Sequence, residues 1–222
     1  MSTTRVLAIG RLTAVLFGTV CLGGAVWLAI EAVRDKQKVE AAHTARPMDV
    51  EIDLSQASEQ SVPYRHSFSR AHNEILVLDV PSQQLPADSE ELERMLNGLT
   101  GILQITKANG DEVQTVPLTP QDASMFAGQI WLAGFSPMPP GDYQAKIEIQ
   151  TGAAELAGIP HSIYAKYFLC GIEELPVFVI GGLSAASGLI GLVTVAIVVP
   201  RLWKQGIWKE PAVKSEPNEL PN

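Results

Sequence analysis

Cysteine is nearly absent, with only Cys21 and Cys170 among 222 residues. Two thiols allow neither a disulfide scaffold nor a cysteine-based zinc site. Signatures of catalysis are missing as well. There is no G-x-S-x-G, no H-E-x-x-H, no C-x-x-C and no glycine-rich phosphate loop behind a strand. The carboxylates are many but scattered, so spacing names no acid/base pair. The expectation is a protein without a catalytic residue and without a cofactor. Glycosylation sequons are also lacking, because Asn73, Asn97, Asn109 and Asn218 all fail at the third position. That favours a bacterial inner membrane over a glycosylated eukaryotic surface.

Charge is missing from two long stretches. Leu12–Ile30 runs 19 residues and Val177–Val199 runs 23 residues without an Asp, Glu, Lys, Arg or His. Either crosses ~30 Å of hydrocarbon as a helix rising 1.5 Å per residue. The expectation is two transmembrane helices, 12–30 and 177–199, which excludes a soluble cytosolic enzyme and the usual multi-pass transporter. The basic start, 1–11, resembles that of a signal peptide. The first apolar run nevertheless exceeds a signal h-region, no A-x-A site follows it, and Glu31 stands where small residues belong. An uncleaved signal anchor is the reading. Arg201, Lys204, Lys209 and Lys214 follow the second run, with Trp203 and Trp208 at the place of an interfacial belt, whereas only Lys166 lies close before it. The first run alone is ambiguous, with Arg5 and Arg11 before it but Arg34, Lys36, Lys38 and Arg46 after, so the second decides: by the positive-inside rule both termini, 1–11 and 200–222, lie in the cytoplasm and the central domain in the periplasm. The tail is expected to be disordered.

Between the runs, Glu31 to Pro176 holds ten basic and 21 acidic residues, a net charge of −11. Such a domain repels nucleic acid and avoids lying flat on anionic lipid. Residues 31–47 are rich in helix formers up to Pro47. The period then changes to two across 48–170. Met48–Leu54, Ile75–Val80, Gly101–Lys107, Glu112–Leu118, Gln129–Ala133, Tyr143–Gln150 and His161–Leu169 read as strands. Asn109-Gly110 marks a hairpin, since both residues accept positive φ. One helix interrupts near 89–98, with Leu92, Met95, Leu96 and Leu99 at helical spacing. The fold class is therefore two transmembrane helices flanking a mainly-β antiparallel sandwich, joined to the second helix by a short connector, 171–176.

The segment Pro139-Pro140-Gly141-Asp142-Tyr143, followed by alternation, resembles the tyrosine corner of immunoglobulin- and fibronectin-like domains. The resemblance covers about a dozen residues around Gly141 and Tyr143. It implies an Ig-like fold and no function. The paired cysteines and buried tryptophan of antibody domains are not there.

Two sets of residues are candidates for function. His66-x5-His72 is the best metal candidate, with Met48, Met125, Met138 and His161 as further ligands by convergence. Within one strand, though, residues six apart stand ~20 Å from each other. Arg65 and Arg70 oppose a cation, and surface histidines are the commoner outcome. The second set lies in the apolar runs. Gly10, Ala14 and Gly18 recur every four residues in the first, and Gly181, Gly182, Ser184, Ala185, Gly188 and Gly191 form small-xxx-small pairs in the second. Lipid gives no hydrophobic drive for helix association, so close backbone approach supplies it. The partners expected are the bilayer and either each other, another membrane protein or a second copy. The expected function is a non-catalytic accessory, assembly or adaptor subunit; the alternative is a periplasmic ligand- or metal-binding sensor or delivery protein.

Overall fold

A computed structural model describes residues 3–205; Trp208, Lys209, Lys214 and the remainder of the expected tail lie outside the described residues. Two long helices flank a mainly-β domain of nine strands in two antiparallel sheets. The chain divides into two compact units. One is made of the residues up to Lys36 and those from Leu175; the other is Gln37–Glu174.

The helix α1 (Thr3–Thr44), whose residues up to Lys36 belong to the first unit and the rest to the second, continues without a break through the expected 31–47 segment as far as Thr44, close before Pro47. The other helix, α3 (Leu175–Gln205), carries Pro200 inside it, so the helix outlasts the apolar run and takes in the first residues of the expected tail. Both helices are long and apolar enough to cross a membrane, with mean hydropathy of 2.0 and 2.2 in their best windows and only 6% of each window buried.

In the β domain, one sheet has the order β1 (Met48–Val50), β9 (Ser162–Phe168), β3 (Asn73–Asp79), β7 (Gln129–Phe135), β6 (Ser124–Phe126). The other runs β2 (Ser58–His66), β8 (Gly141–Thr151), β4 (Thr100–Lys107), β5 (Glu112–Leu118). Alternation decides which side chains turn inward. Leu76 and Leu78 of β3, Ile130 and Leu132 of β7, Leu103 and Ile105 of β4, and Ala145 and Ile147 of β8 share one core. Two antiparallel sheets meeting across one core fit a β-sandwich. Gly152 follows β8 because a Cβ there would run into the backbone of Ser55 and Gln56.

The short helix α2 (Ser89–Met95) is shorter than the expected 89–98. Asp88 caps it by accepting from Glu91 N at 2.9 Å, and Ala87 N donates to Glu91 Oε2. Gly98, at φ 84°, turns the chain away. Leu96 and Leu99 stay buried because tight turns extend the stripe beyond the helix. The β4–β5 hairpin also differs in its turn. Only Gly110 takes positive φ, 88°, while Gly110 N donates to Lys107 O and Lys107 N to Asp111 O. The loop is thus the longer kind that ends on one left-handed glycine. Asn109 instead braces the turn through its side chain, donating to Asp111 Oδ2 at 2.7 Å.

Candidate functional site

The strand β2 was not expected. Its sequence, Ser-Glu-Gln-Ser-Val-Pro-Tyr-Arg-His, has little apolar content, and Pro63 is tolerated because β2 is an edge strand. Register with β8 nevertheless turns Tyr64 and His66 inward. This corrects the expectation of surface histidines for one of the two: His66 is 2% exposed. His72 is exposed, in the loop before β3, with its ring 6.3 Å from Phe168. The two histidines therefore occupy different environments.

What His66 meets is Glu74, at the start of β3 on the face that carries Leu76 and Leu78. His66 Nε2 lies 2.9 Å from Glu74 Oε1, and both side chains are fully buried. Neither imidazole nitrogen closes a well-directed hydrogen bond, and Glu74 Oε2 and Tyr64 Oη have no partner. Met138 N makes a long contact to Glu74 Oε1 at 3.4 Å. Burial pushes the Glu74 carboxyl up to about 8, weakly opposed by Met138 N. The same burial pulls His66 below its ordinary value, opposed by the Pro139 carbonyl. Pro139 O also accepts from Tyr143 Oη at 2.7 Å, and the Tyr143 ring covers Gly141. Tyr167 completes the enclosure with its ring 5.3 Å from His66 and its hydroxyl accepting from Ser67 N at 2.8 Å. An imidazole beside a carboxyl is acid/base chemistry in kind. Both side chains are sealed from solvent, with Glu74 Oε1 against His66 Nε2.

Among the described residues, no three of His, Cys, Asp and Glu come together in a way that would hold a metal ion. His161 is occupied otherwise. Its Nε2 accepts from Leu54 N at 2.8 Å, which leaves Nδ1 as the donor to Ile159 O at 2.6 Å. A groove of about 610 Å³ beside it is lined by Glu51, Asp79 and Ser162. The outer face of the five-stranded sheet has its own small cluster. Ile75 and Val77 lie beneath Tyr164, Trp131 and Phe168, and Arg46 sits 4.0 Å over the Tyr164 ring. Burial raises the Tyr164 phenol, and a hydrogen bond to Asp49 raises Arg46.

In the helical unit, the small residues divide. Ser184 Oγ donates to Ala25 O at 2.7 Å and Ser187 Oγ to Cys21 O at 2.9 Å. A Cβ on Gly191 would stand 2.9 Å from Gly18 O, and one on Gly188 3.4 Å from the Ala25 Cβ. These contacts place α1 and α3 antiparallel, backbone against backbone. Ala14 is half-buried; Ala185 is exposed. Gly10, Gly181 and Gly182 have nothing within 4 Å of a would-be Cβ.

No protein-family model and no curated protein matches the chain. The crystal structure of a Sulfurospirillum deleyianum protein is similar at TM-score 0.42 and 12% identity, covering 57% of this chain and 99% of that one.

Proposed function

We propose that the chain is a two-span inner-membrane protein that displays an Ig-like β-sandwich outside the cytoplasm. In this reading it acts as a non-catalytic accessory or assembly subunit for other membrane proteins. The apolar side chains that α1 and α3 turn outward support the membrane setting: Leu16 is 67% exposed and Phe178 69%, a surface suited to hydrocarbon and unsuited to water. The Tyr143–Pro139 bond, with the two-sheet core, supports the Ig-like reading.

The observation that carries the partner is the division of small residues along α3. Ser184, Ser187, Gly188 and Gly191 are engaged with α1, whereas Gly182 and Ala185 stand open on another side of the helix. A helix needs one small face to pack on a single neighbour; a second face fits a second neighbour. The test is native mass spectrometry of the protein extracted gently from its own membranes, with Gly182→Leu and Gly191→Leu. Gly182→Leu is expected to remove companion polypeptides while the α1–α3 pair persists. Gly191→Leu is expected to disturb the pair itself. An unchanged set of companions in Gly182→Leu, or a wild-type chain that travels alone, would sink the proposal.

A further inference from the structure

Two ionisable side chains sealed together are a costly element in an otherwise apolar core, and their position gives them something to control. His66 ends β2, and the next residues, Ser67–His72, lead into β3. This segment is fastened at three points. Ser67 N donates to the Tyr167 hydroxyl, His72 N donates to Phe168 O at 3.1 Å, and Phe68 and Ala71 pack with Val39, Ala42 and Tyr167 in a separate small core. Leaving β2, the chain passes through the His66–Glu74 contact before it reaches any of these points.

We propose that His66 and Glu74 form a one-proton latch that holds the 66–72 segment closed and releases it when the pair gains or loses a proton. A nitrogen and an oxygen 2.9 Å apart in a sealed site repel unless one proton lies between them. A second proton would leave a bare imidazolium with no carboxylate to balance it. Removing the only proton would leave a bare carboxylate whose Oε2 has no donor. The groups around the pair cannot compensate either charge. Tyr64 stands two residues away on β2, Tyr167 faces from β9 and Tyr143 of β8 faces through Pro139 O. The loop before β8 contributes two main-chain groups, Met138 N toward Glu74 and the Pro139 carbonyl toward His66. Arg65 and Asp142 pair with each other at the surface, 79% and 75% exposed, on the opposite face of β2 and β8. In the segment itself, Arg70 lies over the Phe68 ring and His72 is exposed.

Linkage then fixes the sign on each side. In the open segment, both groups meet water and titrate near 4.5 and 6.5. Between those values the open form also holds one proton, on the imidazole, so opening moves none and the latch is at its tightest. Above 6.5 the open form sheds its proton while the closed pair keeps it up to about 8. Opening then grows about tenfold per pH unit. Below 4.5 the open form takes a second proton that the closed pair refuses, and opening again grows about tenfold per unit. The inference does not depend on the accessory role or on the membrane orientation.

The experiment is hydrogen–deuterium exchange with mass spectrometry on the full chain in mild detergent, from pH 4 to 9, with protection corrected for intrinsic exchange. Peptides covering residues 66–72 are expected to be best protected between 4.5 and 6.5, to lose about tenfold per unit from 6.5 to about 8 and level off above it, and to fall again below 4.5. Peptides from the β4–β5 hairpin are expected not to follow. Glu74→Gln keeps a neutral donor beside the imidazole, so its alkaline arm is expected to vanish and its acid arm to begin near 6.5. A flat wild-type profile, a hairpin that follows the same curve, or an alkaline arm surviving in Glu74→Gln would each overturn the latch. If Glu74→Gln does not fold, the wild-type comparison of segment and hairpin decides alone.

Discussion

Tyr143 shows how one hydroxyl organises an end of the β domain. Its ring is 8% exposed and packs edge-on to Tyr64 at 6.3 Å, while its hydroxyl donates to Pro139 O. That bond fixes the approach to β8 and sets the carbonyl that faces His66. Tyr143→Phe keeps the ring and leaves Pro139 O without its hydroxyl donor. The expected loss is about 1–2 kcal/mol, read as a lower urea midpoint for the β domain at unchanged slope. An unaltered midpoint would mean that the hydroxyl contributes nothing to stability. His161 makes a related point about what a residue type implies. Grouped with His66 and His72 it suggests a ligand set, yet both of its nitrogens serve main-chain groups of its own neighbourhood.

Elements with regular periodicity were the legible ones. β5 runs Glu112–Leu118 as expected, β8 extends its expected span by a residue or two at each end, and the two apolar runs are helices. Two strands were not legible. β6 is three residues long, and β2 is polar, with Pro63 in it and its inward positions filled by Val62, Tyr64 and His66. Missing β2 hid the site, since only its register shows that His66 faces inward. Glu74 was illegible for a different reason. In sequence it is a lone carboxylate before an apolar run; its burial comes from long-range packing against β2 and β9. The small-residue pattern of the helices was visible, but not how it splits between engaged and open faces. Ser184 and Ser187 settle one half of that split. Replacing both with alanine removes two side-chain-to-backbone bonds, each worth about 0.6 kcal/mol between apolar helices. A modest fall in the SDS concentration that separates α1 from α3 is expected, smaller than for Gly191→Leu, which brings a side chain against Gly18 O. A double-alanine variant as fragile as Gly191→Leu would show that the hydroxyls, not the close approach, hold the pair.

At the scale of the whole molecule, charge and apolar surface are kept apart. Ten basic and 21 acidic residues lie between Glu31 and Pro176, whereas the remainder of the chain carries six basic and three acidic ones. In the proposed orientation Arg201 and Lys204 at the end of α3 stay in the cytoplasm, as the positive-inside rule favours, while Arg34, Lys36 and Lys38 of α1 lie on the other side. The chain carries its own reporter of orientation. Cys170 is an exposed free thiol two residues after β9, and Cys21, half-buried, faces α3 through its carbonyl. A membrane-impermeant maleimide added to spheroplasts is expected to label the wild-type chain once, and Cys170→Ser not at all. Cys170 Sγ lies 3.6 Å from Glu173 Oε1, and Glu173 Oε2 accepts from Cys170 N and Gly171 N. Labelling that appears only after the membrane is permeabilised would reverse the orientation. It would put the acidic domain in the cytoplasm and remove the ground for an extracytoplasmic partner.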